Sequence, residues 1–295
     1  MSEFQGFPSA VLENKTIRLE YLTTVGPRIV KLFYMGSENL LGDVPDITWD
    51  TPYGNYFIRG GHRLWISPEL PEKTYIPDSP GLEVEEIPAG VMLTGKVETG
   101  SGVRKSIRIE LEADRPEVRL THTIKNENNV PITFAPWVIT MFRLGGTVIL
   151  PQPVGNADPH GLLHNRQLVL WPYLRLSDPR LKLRDDFILV EAQPALPPVK
   201  LGYADKAGWL AYWLDGVLFR KSFETTQPGR SYPDAGCNAE TYCNDRFVEL
   251  ESLGELTTLE PGAAVQLVET WELYESLEVP FIPDEIRSLL EGKAK

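Results

Sequence analysis

Two glutamates, Glu249 and Glu251, stand two residues apart in the short segment 247–252. In a β-strand, residues two apart point to the same face and lie about 6.6 to 6.8 Å from each other along the strand. Two carboxylates at this spacing raise each other's pKa and can divide the work of a general acid and a general base. The solvent face of an edge strand would give the same pattern, but Phe247 shares the face and favours a site.

Three other segments with the alternation of a strand place one ionisable side chain on an otherwise apolar face: His122, Lys221 and Glu269. A buried charge is costly without a partner, so we expect Glu269 to form a structural ion pair with Lys221 or His122. His122 is either a hydrogen-bonded core residue or part of a site. Lys221 either extends to the sheet edge or reaches a ligand oxygen.

The string IRGGHRLWISPE, residues 58–69, gathers polar and aromatic side chains around a Gly-Gly pair. Glycine adopts backbone conformations that other residues avoid, so the pair allows a tight turn. Such a turn would place Arg59, His62, Arg63 and Trp65 at the rim of a cleft. We interpret the string as one wall of a ligand site.

Carbohydrate chemistry would account for this set of residues. Sugars present hydroxyl groups with apolar C–H faces between them, which suit aromatic rings next to carboxylates and cationic donors. The chain has seven tryptophans and eleven tyrosines, most of which we expect in the core. A small-molecule carbohydrate is therefore the predicted partner.

The elements that would position these residues are β-strands. Twenty-four glycines and twenty-five prolines divide the chain into short segments, many of which alternate between apolar and polar residues. A meander extends from about residue 82 to residue 143, with turn-forming breaks PAG, GSG, ADRP and NENN. We predict an all-β fold, a large antiparallel β-sandwich that residues 1–295 form as a single domain.

One segment has the pattern of a helix instead. In IPDEIRSLLEGK, residues 282–293, Pro283 and Asp284 would begin the helix and Gly292 would lie near its end. This pattern predicts a short C-terminal helix. The stretch 150–205 is irregular and rich in proline, and long loops on a rigid sheet often carry functional residues.

Composition argues against several functional classes. The net charge of −12, with acidic and basic residues interspersed, disfavours nucleic acid, whose phosphates need a basic face. No run of about 18 apolar residues indicates a transmembrane helix, and no secretory signal pattern opens the chain, so we expect a cytoplasmic protein without a membrane partner. Cys237 and Cys243, six residues apart, could pair, but two reduced thiols are the expectation, and no Cys/His spacing indicates a zinc site.

Three strings resemble the galactose mutarotase-like (aldose 1-epimerase) superfamily. IRGGHRLWISPE is similar to its Gly-Gly turn, especially in the branch that acts on hexose phosphates. FVELESLGELTTLEPGAAVQLVETWEL, residues 247–273, is similar to its C-terminal pattern of a strand, Leu-x-Pro-Gly and a closing strand. YPDAGCNAETYCNDRFVELESLG, residues 232–254, resembles an uncharacterised branch with the signature Pro-Asp-x-Gly-x-x-x-Glu-x-Tyr. The three strings stand in the expected order and span most of the chain.

The resemblance implies a β-sandwich with a sugar-binding cleft on its concave face. Family enzymes interconvert the anomers of a free sugar. A glutamate takes the proton of the C1 hydroxyl, a histidine protonates the ring oxygen, and the ring opens, rotates and recloses. Most members need no metal, and the resemblance implies no cofactor.

The resemblance also suggests roles for single residues. Glu251 best matches the base, with Glu249 as the close competitor, and Arg59 falls where the hexose-phosphate branch has an arginine. The family's histidine belongs near Trp137, where this chain has none. Either another histidine, His62 or His122, supplies the proton, or the ring-opening chemistry has been lost and the cleft only binds or does something else. The leading hypothesis takes His62 as the acid.

The remaining assignments concern binding. The side chains that would bind hydroxyl, carboxylate or phosphate oxygens are Arg59, Arg63 and Lys221. Stacking faces would come from Trp65 and Trp137. The floor of the cleft would be lined by His122, Glu240 and Glu249. The predicted function is sugar binding, with epimerase activity on a free or phosphorylated aldose. The alternatives are a non-catalytic binding module and, less favoured, a glycoside hydrolase or lyase. Edge strands of such sandwiches can pair, which leaves a dimer open.

Overall fold

A computed structural model describes residues 2–275, and the helix predicted at 282–293 lies outside this range. In chain order its elements are β1 (Ser2–Phe4), β2 (Phe7–Glu13), β3 (Ile17–Leu22), β4 (Ile29–Tyr34), β5 (Asp43–Thr51), β6 (Gly54–Gly60), β7 (His62–Ser67), α1 (Pro71–Thr74), β8 (Glu83–Ile87), β9 (Gly90–Val97), β10 (Val103–Leu111), β11 (Glu117–Asn126), β12 (Ile132–Phe142), β13 (Thr147–Pro151), β14 (Val169–Leu170), β15 (Leu181–Leu183), β16 (Phe187–Glu191), β17 (Val199–Tyr203), β18 (Trp209–Leu214), β19 (Val217–Ser222), α2 (Pro233–Gly236), β20 (Ala239–Cys243), β21 (Val248–Leu253), β22 (Thr257–Leu259) and β23 (Ala264–Glu275).

The strands form two large antiparallel sheets and one hairpin. The first sheet has the order β1-β2-β3-β4-β7-β12-β21-β20-β17-β14, with β22 paired to β12. The second has the order β15-β16-β13-β18-β19-β23-β11-β10-β9-β8, and β5 pairs with β6 alone. One hydrophobic core lies between the two sheets, joining for example Leu19 and Val138 of the first to Leu93 and Trp271 of the second. The predicted all-β sandwich is confirmed.

The helical content of the described residues is small. The two helices have four residues each. Neither is long or apolar enough to cross a membrane.

The predicted tight turn at the Gly-Gly pair is confirmed and has a steric cause. Gly60 and Gly61 have φ angles of +106° and +71°, in the left-handed region. A Cβ atom on Gly61 would lie 2.1 Å from the carbonyl oxygen of Ile29, and one on Gly60 would lie 2.0 Å from that of Gly42. Only glycine lets the chain pass from β6 into β7 this close to its neighbours.

Replacing Gly61 with alanine should lower the free energy of unfolding by about 3 kcal/mol, because the left-handed backbone is strained for alanine and a carbonyl group must move. Gly36 is the matched control, since its φ is +80° and nothing lies within 4 Å of an added Cβ. Gly36→Ala should cost only about 1 kcal/mol. Urea unfolding of both variants measures the difference, and equal losses would show that the contact with Ile29 is unimportant.

Candidate functional site

A cavity of 330 Å³ lies against the face of the first sheet that points away from the second sheet. Its volume falls at the lower end of the range for small-molecule sites. Half of its lining residues are aromatic: Trp49, Trp65, Tyr75, Trp137, Tyr173, Tyr242 and Phe247. The charged side chains in the lining are Arg63, Glu69, Lys200 and Glu249. Aromatic walls with a few converging charges are typical of a ligand site.

Strand register brings the two strings singled out in the sequence together. β12 lies between β7 and β21, and its Ile139 pairs with Arg63 on one side and with Glu251 on the other. Side chains at paired positions of a sheet share a face. Arg63 Nη2 accordingly donates a hydrogen bond to Glu249 Oε1 at 2.9 Å. The two strings form neighbouring parts of one floor.

Glu249 is the glutamate of β21 that reaches the cavity. Its side chain lines the cavity and is 6% exposed, whereas Glu251 is fully buried. Burial and the charge of Glu251 raise the pKa of Glu249, which the Arg63 guanidinium partly opposes. The geometry therefore favours Glu249 over Glu251 as the carboxylate that meets a ligand.

Glu251 lies beneath the floor and holds other residues of the site. Its Oε2 accepts hydrogen bonds from Trp137 Nε1 at 2.8 Å and from Lys200 Nζ at 3.3 Å. Its Oε1 accepts none from any residue in the described range. Glu240 pairs with Glu251 across β20 and β21, and Lys200 Nζ lies 3.2 Å from Glu240 Oε2. Burial and the charge of Glu251 raise the pKa of Glu240 well above its usual value, against the effect of Lys200.

Lys200 is the main site residue that the sequence analysis missed. Its ammonium group lies between the rings of Trp137 and Trp171, 4.8 and 4.6 Å from their centroids. The segment VKL on β17 places this lysine between two apolar residues that point to the core. Lys200 alternates with these apolar neighbours as a solvent-facing lysine would, so the signal that singled out Lys221, a charge on an apolar face, is absent here. No comparable signal marks Glu69, Tyr75 or Tyr173, which lie outside the strands.

The overall architecture has clear counterparts among solved structures. A galactose mutarotase-like protein from Lactobacillus casei is 13% identical, with a TM-score of 0.58 over 90% of this chain and 100% of that one. A galactose mutarotase-related enzyme from Lactobacillus acidophilus is 11% identical, with a TM-score of 0.54 over 93% and 100%. An aldose epimerase homologue from C. elegans is 10% identical, with a TM-score of 0.52 over 91% and 100%.

The chain has the galactose mutarotase-like fold. The resemblance drawn from the three strings is thereby confirmed at the level of the fold. By sequence, no protein-family model and no curated protein matches the chain.

In this mutarotase-like sandwich, three residues predicted for the site lie elsewhere. His62, His122 and Lys221 are fully buried between the two sheets, and none lines the cavity. His62 precedes Arg63 in β7, so its side chain points to the opposite face of the strand. There its Nε2 lies 2.7 Å from His122 Nε2 of the second sheet. The assignment of His62 as the acid at the cavity is corrected accordingly.

The buried imidazoles belong to a hydrogen-bonded chain with one consistent order of protons. His122 Nδ1 must donate to the carbonyl oxygen of Leu267 at 3.1 Å, which leaves its Nε2 as an acceptor. His62 Nε2 then donates to His122, and its Nδ1 accepts from the Thr140 hydroxyl at 3.0 Å. Burial lowers the pKa of His62 well below its usual value and that of His122 to about 4, so both rings are neutral at pH 7.

The predicted structural ion pair of Glu269 is confirmed. Lys221 Nζ lies 2.8 Å from Glu269 Oε1, and both side chains are fully buried. Ser252 and Trp271 also donate hydrogen bonds to the Glu269 carboxylate. Glu269 and the two imidazoles are close enough together to hold a metal ion. Both oxygens of the Glu269 carboxylate, however, already accept hydrogen bonds from the neighbouring side chains.

Arg59 also lies outside the cavity lining of the mutarotase-like sandwich. Its guanidinium pairs with Asp78 at 3.5 Å and packs over the rings of Phe7 and Phe57. The predicted role of Arg59 in binding is therefore corrected to a structural contact. Arg63, Trp65, Trp137 and Glu249 line the cavity, and Glu240 lies below its floor. Cys237 and Cys243 are buried free thiols, as expected.

Proposed function

We propose that this protein binds an aldose in the cavity and interconverts its anomers. The observation that carries the proposal is Glu249, a nearly buried carboxylate that faces an aromatic cavity in a galactose mutarotase-like fold. Aromatic rings can pack against the C–H faces of a sugar, and the Glu249 carboxylate can accept a hydrogen bond from a sugar hydroxyl group. The neighbours of known fold bear the names mutarotase and aldose epimerase, which supports the same chemistry here.

Glu249 would act as the base that takes the proton from the C1 hydroxyl. A general base works best when its pKa approaches the working pH, and burial beside Glu251 raises the pKa of Glu249 in that direction. The hydrogen bond from Arg63 keeps one carboxylate oxygen in place and leaves the other for the sugar. Trp65 and Trp137, whose rings contact each other at 5.3 Å nearly edge to face, would form one aromatic wall beside the ring of the sugar.

A binding module without turnover is the second candidate function. It is favoured by one observation: within residues 2–275, no histidine lines the cavity. This candidate requires affinity for a sugar without any acceleration of anomer exchange.

Anomer exchange followed by NMR tests the proposal directly. Several aldoses and their 6-phosphates are incubated with the protein, and calorimetry measures binding of the same panel. We expect at least one sugar to bind and to exchange faster than in buffer. Binding with exchange at the buffer rate would support the binding module, and an absence of binding across the panel would overturn both candidates.

A further inference from the structure

We propose that Lys200 delivers the proton to the ring oxygen of the sugar, the step for which the cavity offers no histidine. This inference rests on the proposed function. It assigns a catalytic role to a residue that sequence resemblance did not indicate.

Among histidines and cations, elimination narrows the choice of proton donor. The chain has four histidines. His62 and His122 are buried between the sheets, while His160 and His164 are exposed and do not line the cavity. Of the two cations in the lining, Arg63 is bonded to Glu249, and a guanidinium group does not release a proton in proteins. Lys200 is the remaining cation that lines the cavity within the described residues.

The ammonium group of Lys200 is held in place for such a role. An ammonium group has three N–H donors. One of them is donated to Glu251 Oε2 at 3.3 Å, and Glu240 Oε2 lies 3.2 Å from Nζ as an ion pair. The flanking rings of Trp137 and Trp171 restrict its movement sideways. An N–H that is not donated to Glu251 is left for a ligand in the cavity.

Lys200 and Glu249 are spaced to act on opposite sides of one sugar ring. Lys200 pairs with Tyr242 on β20, and Tyr242 pairs with Glu249 on β21. The two residues therefore share a face of the sheet, with their backbones two strands apart, or about 10 Å. A single pyranose ring placed over Tyr242 could contact both side chains.

The proposed step balances without any other reactant. Glu249 takes the proton of the C1 hydroxyl, and the O1 electron pair forms the C1=O1 bond. The C1–O5 bond breaks, and its electron pair on O5 takes a proton from Lys200 Nζ. After rotation about the C1–C2 bond, O5 attacks the other face of C1, returns its proton to Lys200, and O1 takes back the proton from Glu249.

The environment of Lys200 keeps its ammonium group protonated at rest and makes it a weak acid, which gives up a proton only to a strongly basic oxygen. Burial lowers the pKa of Lys200, but the charges of Glu251 and Glu240 outweigh this effect and raise it. The resting amine therefore stays protonated. An alkoxide is a stronger base than an amine, so the proton moves to O5 as the ring bond breaks.

Two substitutions at position 200 separate charge from proton delivery. We expect Lys200→Met to lower kcat for anomer exchange by about 10²- to 10⁴-fold, the usual contribution of a general acid. Lys200→Arg keeps the charge next to Glu240 and Glu251 but cannot release a proton, so we expect a similar loss of kcat with KM changed less than about 3-fold. Lys206→Met, a change at an exposed lysine just beyond β17, should leave the rate unchanged.

The rates of the wild type and of the two variants test the proposed function and the role of Lys200 separately. Wild-type exchange at the buffer rate would overturn the proposed function and this inference with it. If the wild type is active, a rate for Lys200→Arg within 3-fold of the wild type would show that Lys200 contributes only charge, and retained activity in Lys200→Met would remove its role altogether. Calorimetric sugar binding and thermal melting show that each variant is folded, and Lys200→Arg keeps the test valid if Lys200→Met is not.

Discussion

Replacing Glu249 with glutamine should slow anomer exchange by about 10²- to 10⁴-fold, while sugar binding is largely retained. Glutamine keeps the shape of the side chain and an oxygen that accepts the hydrogen bond from Arg63, but it cannot take a proton from the C1 hydroxyl. Exchange spectroscopy by NMR measures the rate, and calorimetry measures the affinity.

Glu251→Gln is the matched comparison because Glu251 stands on the same face of the same strand. It does not line the cavity, and its contacts are with Trp137 and Lys200. We expect about a tenfold loss, through poorer placement of those two residues. A larger loss in Glu251→Gln than in Glu249→Gln would reverse the assignment and restore Glu251 as the base, as the sequence resemblance suggests.

Replacing Lys221 with methionine should lower the free energy of unfolding by about 3 to 5 kcal/mol. The substitution leaves the Glu269 carboxylate fully buried without its cationic partner. Loss of one partner of a buried ion pair is far more costly than loss of a surface pair, whose contribution is about 0 to 1 kcal/mol. Urea unfolding measures the change.

A double variant and a surface control complete this experiment. Lys221→Met with Glu269→Leu removes both charges and should recover much of the lost stability, because no unpaired ion remains. Arg246→Met removes an exposed partner of Asp46 and should leave the midpoint of urea unfolding nearly unchanged. If the double variant is no more stable than Lys221→Met alone, the loss comes from packing and hydrogen bonds instead of the unpaired charge.

The all-β architecture and the shared face of the two glutamates could be predicted because both follow from local alternation. Because side chains alternate along a strand with a period of two residues, Glu249 and Glu251 share one face wherever the strand lies in a sheet. The Lys221–Glu269 pair was predictable for a similar reason, since each residue is a charge on an apolar face. Local pattern also indicated the Gly-Gly turn.

The placement of His62 could not be predicted, because all six residues of β7 are buried. A strand covered on both sides lacks the alternation that tells its two faces apart, and a shift of one residue exchanges the faces. The sequence therefore could not show whether His62 or Arg63 points into the cavity. Lys200 was missed for a different reason. It lies close to Glu251 only because of the strand order β21-β20-β17, and no local segment of the sequence encodes that order.

The site divides between a rigid floor and replaceable walls. The proposed proton-transferring residues, Glu249 and Lys200, stand on strands of the first sheet, whereas Trp49 belongs to the separate β5–β6 hairpin and Tyr75 and Tyr173 belong to loops. Loops and hairpins tolerate substitution and insertion far better than the strands of a packed sheet. Related chains could thus acquire a preference for another sugar by exchanging these walls while keeping the same chemistry, so selectivity and reactivity can diverge independently.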